Sequence, residues 1–496
     1  MAIKTSPNIS TVAIVGGGTA GLLAALSIKY LNPQLKVDVI YSSRKGHIMV
    51  GEGTTYSVLN MLHSKIGLDR EEFAKRVKPT PKLGIRFLWG SRNIFDYTFE
   101  ANPYNTYYTE EKIPLGFMCD DDEPLMNLTP ASANMSMHRM SSKPNSQWPG
   151  SAALPAAYHF ENHAFVEHLA DSCRARGIQL HDMEVERVEQ DEAGITQLCC
   201  NQGKSFKADL YVDASGFSGI LMNKTLKEPV SSFKNHIFCD KAVVGGWSRS
   251  SSEPLKPYTT AETMNAGWCW QIEHRQQINR GYVFCSDFLS GEDAEAEFRL
   301  KNPKVEETRI IPFGAQRSKR AWVKNVVAIG NANGFVEPLE ATNIHIICEY
   351  SIRLAELLSI SKNPSEYIKK GFNDYVENRW QMIAEFLALH YRFNEKLDTP
   401  FWQFARNNTD LGDGQALVDY FQAVGPDAAG LRQMLRSNDM FGPAGYLAML
   451  IGMNVSYKKE FQSAESSSAY LRLLKKKNIA MATQNQTADQ WTALKI

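Results

Sequence analysis

The chain carries no excess charge of either sign: 54 lysines and arginines stand against 54 aspartates and glutamates in 496 residues. Such a balance provides no electrostatic footprint for nucleic acid or an anionic membrane surface as the main partner. There is no CxxC pair and no zinc-type ligand spacing. The eight cysteines are scattered, apart from the neighbours Cys199 and Cys200. That argues against a disulfide framework or a metal site and fits free thiols in a reducing cytoplasm. Residues 90–158, rich in Asn, Ser, Pro and Met, hold no repeat or low-complexity tract and read as irregular insertions around a sheet. One apolar run, residues 11–28, resembles a signal segment or a short membrane span. Its glycines, Gly16, Gly17, Gly18 and Gly21, and the lack of a basic cluster before it argue against both, so no membrane association is expected.

What is present is ordinary globular composition, 43% apolar and 22% charged, in a chain long enough for roughly two to four structural units. Thr11–Val15 is β-rich. Gly16-Gly17-Gly18-Thr19-Ala20-Gly21 follows, then the helix start Leu22–Leu26 and a second strand, Lys36–Ile40. GxGxxG between a strand and a helix is the context a dinucleotide needs. Gly16 makes the tight turn, Gly18 lets backbone approach a pyrophosphate, and Gly21 lets the helix pack on the strand. A glycine-rich turn without a ligand is the plainer alternative. The acidic residue that normally ends the second strand and holds a ribose is absent. Tyr41-Ser42-Ser43-Arg44 stands there, so a serine hydroxyl is expected to replace it, with Arg44 near the phosphates.

Val50-Gly51-Glu52-Gly53-Thr54-Thr55 is a second glycine-rich loop, read either as a further cofactor contact or as a surface turn. Pro81–Trp89 alternates like one strand, and taken locally Lys82 is a solvated lysine at its start. Tyr158-His159-Phe160 leads towards a helix ending near Arg176. Asp213-Ala214-Ser215-Gly216 closes a buried strand. Trp268 and Trp270, at i and i+2, share one face of a strand. Asn325–Ile329 is another apolar strand. It runs through Gly330–Gly334 into Phe335–Asn343, where a helix start can offer backbone N–H groups to an anion. Two carboxylates, Glu337 and Glu340, lie in that stretch; a helix-start charge partner is the plain reading of each. Ser365 can cap a long helix, helical periodicity persists to about Lys477, and the last residues read as frayed.

These pieces together resemble the flavin-dependent halogenase family, in particular its tryptophan-halogenase branch, over about residues 10–455. The marks are Gly16–Gly21, the Val50–Thr54 loop, Pro81–Phe87 with Lys82, Tyr158–Phe160, Asp213–Gly216, Trp268-Cys269-Trp270-Gln271-Ile272 and Phe335–Thr342. His390-Tyr391 and Asp398–Trp402 add to them. The resemblance implies an α/β fold with a Rossmann-like FAD module of the monooxygenase type, an antiparallel substrate-side sheet and a mostly helical C-terminal module. On that basis residues 1–350 form the FAD module, with insertions near 90–158 and 245–305, and residues 351–496 form a helical cover.

The implied chemistry uses O2, halide and reduced FAD from a separate flavin reductase to make hypohalous acid, which halogenates an aromatic or other electron-rich small molecule. Lys82 matches the lysine that hydrogen-bonds hypohalous acid or forms a haloamine. Glu340 matches the glutamate that helps polarise the halogenating species and accepts the substrate proton. FAD contacts fall to Gly16, Gly18, Thr19, Ala20, Gly21, Ser43, Val50, Gly51, Glu52, Val185, Gly330 and Ile344. Thr342 and Asn343 fall to the halide, and Trp268, Trp270, Phe335 and Pro338 to the tunnel and substrate side. A homodimer is implied as well; no metal is. Three positions depart from the family pattern: Glu273 stands in place of proline, Ala341 in place of serine and Asn343 in place of glycine. If the glycine position needs a positive φ, asparagine tolerates it best, and the altered pocket points towards bromide or iodide. A flavin monooxygenase that hydroxylates its substrate and a non-catalytic flavin-binding protein are the competing readings.

Overall fold

The computed structural model describes residues 8–44, 51–99, 127–140, 156–458 and 465–494. Val50, the acidic run at 120–123 and most of the 90–158 insertion lie outside them. By contact the chain falls into two compact units, each assembled from three separate segments. The first comprises Met1–Lys78, Phe160–Phe233 and Phe313–Gln381; the second comprises Pro79–His159, Lys234–Pro312 and Met382–Ile496. Residue 350, expected at a module boundary, lies inside the helix Thr342–Ile360.

The first unit is an α/β structure. Thr11–Val15 is central in a six-stranded sheet, parallel to Lys36–Tyr41 on one side and to Leu210–Asp213 on the other. Gln179–Asp182 extends the parallel sheet beyond Lys36–Tyr41, and Val326–Ala328 extends it beyond Leu210–Asp213. Val12, Ile14 and Val39 are buried, as an unbroken apolar strand covered on both faces requires. The helix Thr19–Leu31 is buried continuously from Gly21 to Ile28 and packs against Thr342–Ile360. The apolar run at 11–28 is therefore a core strand and a core helix, as its glycines indicated. No helix among the described residues is long and apolar enough to cross a membrane.

The second unit is built on a seven-stranded sheet. Its order is Thr308–Pro312, Lys241–Ser248, Gln277–Phe284, Gly267–Glu273, Thr259–Met264, Gly84–Leu88, Phe95–Thr98. The expected antiparallel sheet needs one correction: Thr259–Met264 runs parallel to Gly84–Leu88. The single strand expected over 81–89 is two, Thr80–Lys82 and Gly84–Leu88, in different sheets. Between them the buried Leu83 donates its N–H to the Pro257 carbonyl and accepts from the Phe99 N–H. Tyr158–Phe160 is not itself the start of a helix. It belongs to the strand Ala157–Phe160, paired with Thr80–Lys82, and the helix begins at Asn162. Ser365 does cap the helix Glu366–Arg392, its hydroxyl accepting from the Ile368 N–H. The tail is not frayed at its described end: Gln486–Thr487 pairs with Arg139–Met140, and Ala488–Leu494 is helical.

Candidate functional site

In the first unit the chemistry gathers where the parallel strands end. Gly16 has φ +124°, and a Cβ there would lie 2.1 Å from the Ala214 carbonyl oxygen. A Cβ on Gly21 would lie 1.9 Å from the Gly16 carbonyl oxygen. The turn therefore requires glycine at both places. The Ala214 turn is held by Asp213, fully buried, whose carboxyl accepts from the Ser215 N–H and hydroxyl and from the Leu221 and Met222 N–H groups. Burial raises the Asp213 pKa, opposed by those hydrogen bonds. The helix after the turn starts at Thr19 with the extended Gly18 as its N-cap and no capping side chain. The Thr19 Oγ1 is buried and lacks a partner. A helix start of this kind, with unused amides and an unpaired hydroxyl, fits a bound pyrophosphate.

Gly330, at φ +67°, lies against Ala20, where a Cβ would approach the Ala20 methyl to 2.7 Å. Two predicted cofactor residues far apart in sequence thus meet. Ile344 is buried in the helix that packs on Thr19–Leu31, and Val185 begins a separate antiparallel strand, Val185–Asp191. Gly51–Gly53 is not a surface turn: Gly51 and Gly53 are buried, and Glu52 is half-buried. Burial pushes the Glu52 carboxyl up to about 7, against a hydrogen bond from the Asn162 amide at 3.3 Å. The same loop is tied to the helix Thr342–Ile360 by Thr55, whose Oγ1 lies 2.8 Å from His345 Nδ1.

Ser43 is placed differently from expectation. Its N–H donates to Asp182 Oδ1 at 2.8 Å. The Ser43 N–H and hydroxyl, with Arg44 nearby, hold the exposed Asp182 carboxyl below the usual carboxylate range. Asp182 ends the strand beside Lys36–Tyr41, in register with Tyr41. An acid does stand at this sheet edge, but it comes from the neighbouring strand. No local signal marks Asp182; only the strand pairing does.

Phe335 and Pro338 are half-buried, and the Phe335 ring meets Phe217 and Phe313 edge-on, each at 5.2 Å. Glu337 and Glu340 are buried, at 0% and 4% exposure. The next residue is the left-handed one: Ala341 has φ +54° and ψ +36° and serves as N-cap of the helix starting at Thr342. Asn343 lies inside the first turn, so the positive φ falls on the serine position of the family pattern and not on the glycine position. No side chain caps this start, and the buried Thr342 Oγ1 lacks a partner.

In the second unit Lys82 is fully buried, not solvated as its local sequence suggests. Its ammonium lies 5.2 Å from the centroid of the Phe99 ring. His159, on the paired strand, is also fully buried; its Nε2 lies 2.8 Å from Thr259 Oγ1 and its Nδ1 lacks a partner. Burial, then the Lys82 charge, lowers its pKa well below the ordinary value. His274 is pushed down to about 4 by burial. Both imidazoles are therefore neutral at pH 7 and add no positive charge of their own beside the buried ammonium. Trp268 and Trp270 lie on one sheet face, 0% and 6% exposed, with ring centroids 6.0 Å apart. Gly281 makes room for Trp270, since a Cβ there would fall 2.0 Å from the indole.

The family model described as tryptophan halogenase matches residues 11–468. The chain is 30% identical over 449 residues to tryptophan 6-halogenase ThaL of Streptomyces albogriseolus, covering 83% of this chain and 81% of that protein. It is 28% identical over 453 residues to tryptophan 7-halogenase RebH of Lentzea aerocolonigenes, covering 84% and 83%. Among solved structures it is similar to MibH, a lanthipeptide tryptophan 5-halogenase, with a TM-score of 0.87 at 32% identity, covering 99% of this chain and 94% of that one.

Proposed function

The chain belongs to the tryptophan halogenase family and is a flavin-dependent enzyme, and from that premise we propose that it halogenates a tryptophan-like or other electron-rich aromatic molecule. The complete burial of Lys82 carries this reading. A lysine is almost never fully buried unless it is paired, since removing an ammonium from water costs several kcal/mol, and the family's motif places a reactive lysine at this position. When bound, reduced FAD supplies, with O2 and halide, the hypohalous acid. Gly16, Gly18, Thr19, Ala20, Gly21 and Gly330 would hold the dinucleotide, with Ser43 and Asp182 at its ribose. A separate flavin reductase is the proposed source of reducing equivalents.

The role of Lys82 is to donate a hydrogen bond to the oxygen of hypohalous acid, so that electron density leaves the halogen. The role of Glu340 is to accept the proton that the ring carbon releases once it has bonded to halogen. Trp268 and Trp270 provide bulky indole surface on the substrate side. The backbone N–H groups of Thr342 and Asn343 bind halide. With alanine at 341, no serine hydroxyl adds a hydrogen bond there, and the site favours bromide or iodide over chloride, whose tighter solvation demands more donors.

Supplying reductase, FAD, NADH and a halide-by-substrate panel, with products read by mass, tests the assignment. A chlorine or bromine isotope doublet, or for iodide the single mass gain of one iodine replacing one hydrogen, is expected. A product heavier by one oxygen would instead establish a hydroxylase. A clear chloride preference in direct competition would remove the bromide or iodide reading alone.

A further inference from the structure

The seven-stranded sheet of the second unit has a built cavity on the face opposite Trp268 and Trp270. Side chains alternate along a strand, so Gln271 points away from both indoles. It lies in a cross-strand row with Thr260 and Arg280. Beside this row opens a cavity of about 300 Å³, at the lower end of the small-molecule range.

Its floor is rigid. Arg280, 5% exposed, donates Nε to Asn302 Oδ1 at 2.6 Å, Nη1 to Gln271 Oε1 at 3.0 Å and Nη2 to Glu262 Oε2 at 2.9 Å. Lys301 reaches the other Glu262 oxygen at 3.1 Å. The wall is the half-buried Trp247 ring, with the Lys304 ammonium 6.0 Å from its centroid. Lys304 also meets Glu253 at 2.7 Å. Lys256 is held more loosely, 3.9 Å from Glu273 Oε1. Lys256, Arg280, Lys301 and Lys304 line the cavity against one lining carboxylate, Glu262. Counting Glu253 and Glu273 as well, four cations still exceed three acids.

Glu273 helps to shape this cavity. Its Oε1 accepts from Gln271 Nε2 at 2.6 Å. Proline, which the family pattern has there, could neither accept that bond nor face Lys256. The departure at 273 thus supports the lining of this cavity.

We propose that the cavity binds a small organic anion with a flat apolar body, an aryl carboxylate or aryl phosphate. The anionic group would lie on Lys256 and Lys304 and the ring against Trp247. Charge attracts the ligand, and the indole selects for flatness.

The test uses the full chain labelled with 5-fluorotryptophan, the Trp247 signal being assigned by Trp247→Phe. Benzoate and phenyl phosphate are titrated separately, which also tells which anionic group is preferred. A saturable shift of the Trp247 signal is expected, half-complete near or below ~1 mM, with benzyl alcohol producing none. The rim variant Lys256→Ala/Lys304→Ala, altered at one half-buried and one exposed side chain, should keep its melting temperature and weaken binding about tenfold. Three results would each overturn the proposal: a shift that does not saturate, one that the rim variant leaves unchanged, or one that inorganic phosphate reproduces at the same concentration.

Discussion

The two units solve different problems with different parts of the chain. In the first, the proposed cofactor and halide contacts are mostly backbone: glycine turns, two helix starts without a capping side chain and the amides at them. In the second, the proposed site is made of side chains taken out of water: Lys82, His159, His274, Trp268 and Trp270. A backbone site announces itself through glycine spacing, because only glycine fits the conformation. A buried side-chain site has no such local signature, since the residue types it uses are equally at home elsewhere. The contrast predicts that substitutions in the first unit's glycine turns alter folding and flavin affinity, whereas substitution of Lys82 in the second unit removes chemistry and leaves flavin affinity intact.

The largest expected effect is on that second arm. Lys82→Ala should lower halogenation by about 10² to 10⁴, the range for loss of a positioned acid–base group. Its FAD dissociation constant, read by flavin fluorescence, should stay within twofold of the parent. Retained halogenation would contradict the role given to Lys82, and lost flavin binding would break the contrast itself.

Gly16→Ala comes next. A methyl 2.1 Å from the Ala214 carbonyl oxygen at φ +124° should cost about 3 kcal/mol or more in denaturant unfolding and abolish FAD retention. An unchanged unfolding midpoint would show that the turn relaxes freely. Asp182→Asn should weaken FAD binding about tenfold, as expected for loss of one charge-assisted contact, with little change in turnover at saturating FAD. Equal affinity in parent and variant would leave Asp182 with no part in holding the ribose.

Ala341→Gly probes strain at the halide turn. Removing a Cβ from a left-handed residue should raise stability by about 1 kcal/mol, measured by urea unfolding. Destabilisation would mean that the alanine methyl contributes packing worth more than the strain.

The smallest effect is pH-dependent. Glu52 titrates near 7 in the folded chain and at 4.5 when unexposed to burial. Between those values the native state binds more protons than the unfolded state, so this group's contribution to stability falls as pH rises from about 4.5 to 7 and stays low above it. Glu52→Gln should therefore raise the melting temperature by about 2 °C at pH 8 and hardly at all at pH 4.5. The same gain at both pH values would locate the effect in packing and not in charge.

Particular residues show how far local reading reaches. Thr11–Val15, Gly16–Gly21 and the helix after them are legible because strand, turn and helix each have a local pattern, and the three agree. Lys82 is not: a lysine after two prolines near a strand start has the same local sequence whether it is solvated or sealed. Asp182 was invisible because its position beside Tyr41 depends on pairing two strands some 140 residues apart. The left-handed residue was sought at Asn343, where residue type suggested it. It lies at Ala341 because the helix already begins at Thr342. Glu273 looked like a defect in the tryptophan motif, and its hydrogen bond to Gln271 shows it to be part of the opposite sheet face.

By itself, then, the sequence determined the α/β pattern of the first unit, because glycine geometry and strand or helix period are local properties of a chain; the family and the residues proposed for catalysis came from the resemblance of its motifs to those of known proteins. Only the tertiary structure decided which of these residues leave water, which carbonyl and carboxylate oxygens hold them, and which sheet face each side chain takes. Those outcomes depend on contacts between segments far apart in sequence, and no local pattern encodes them.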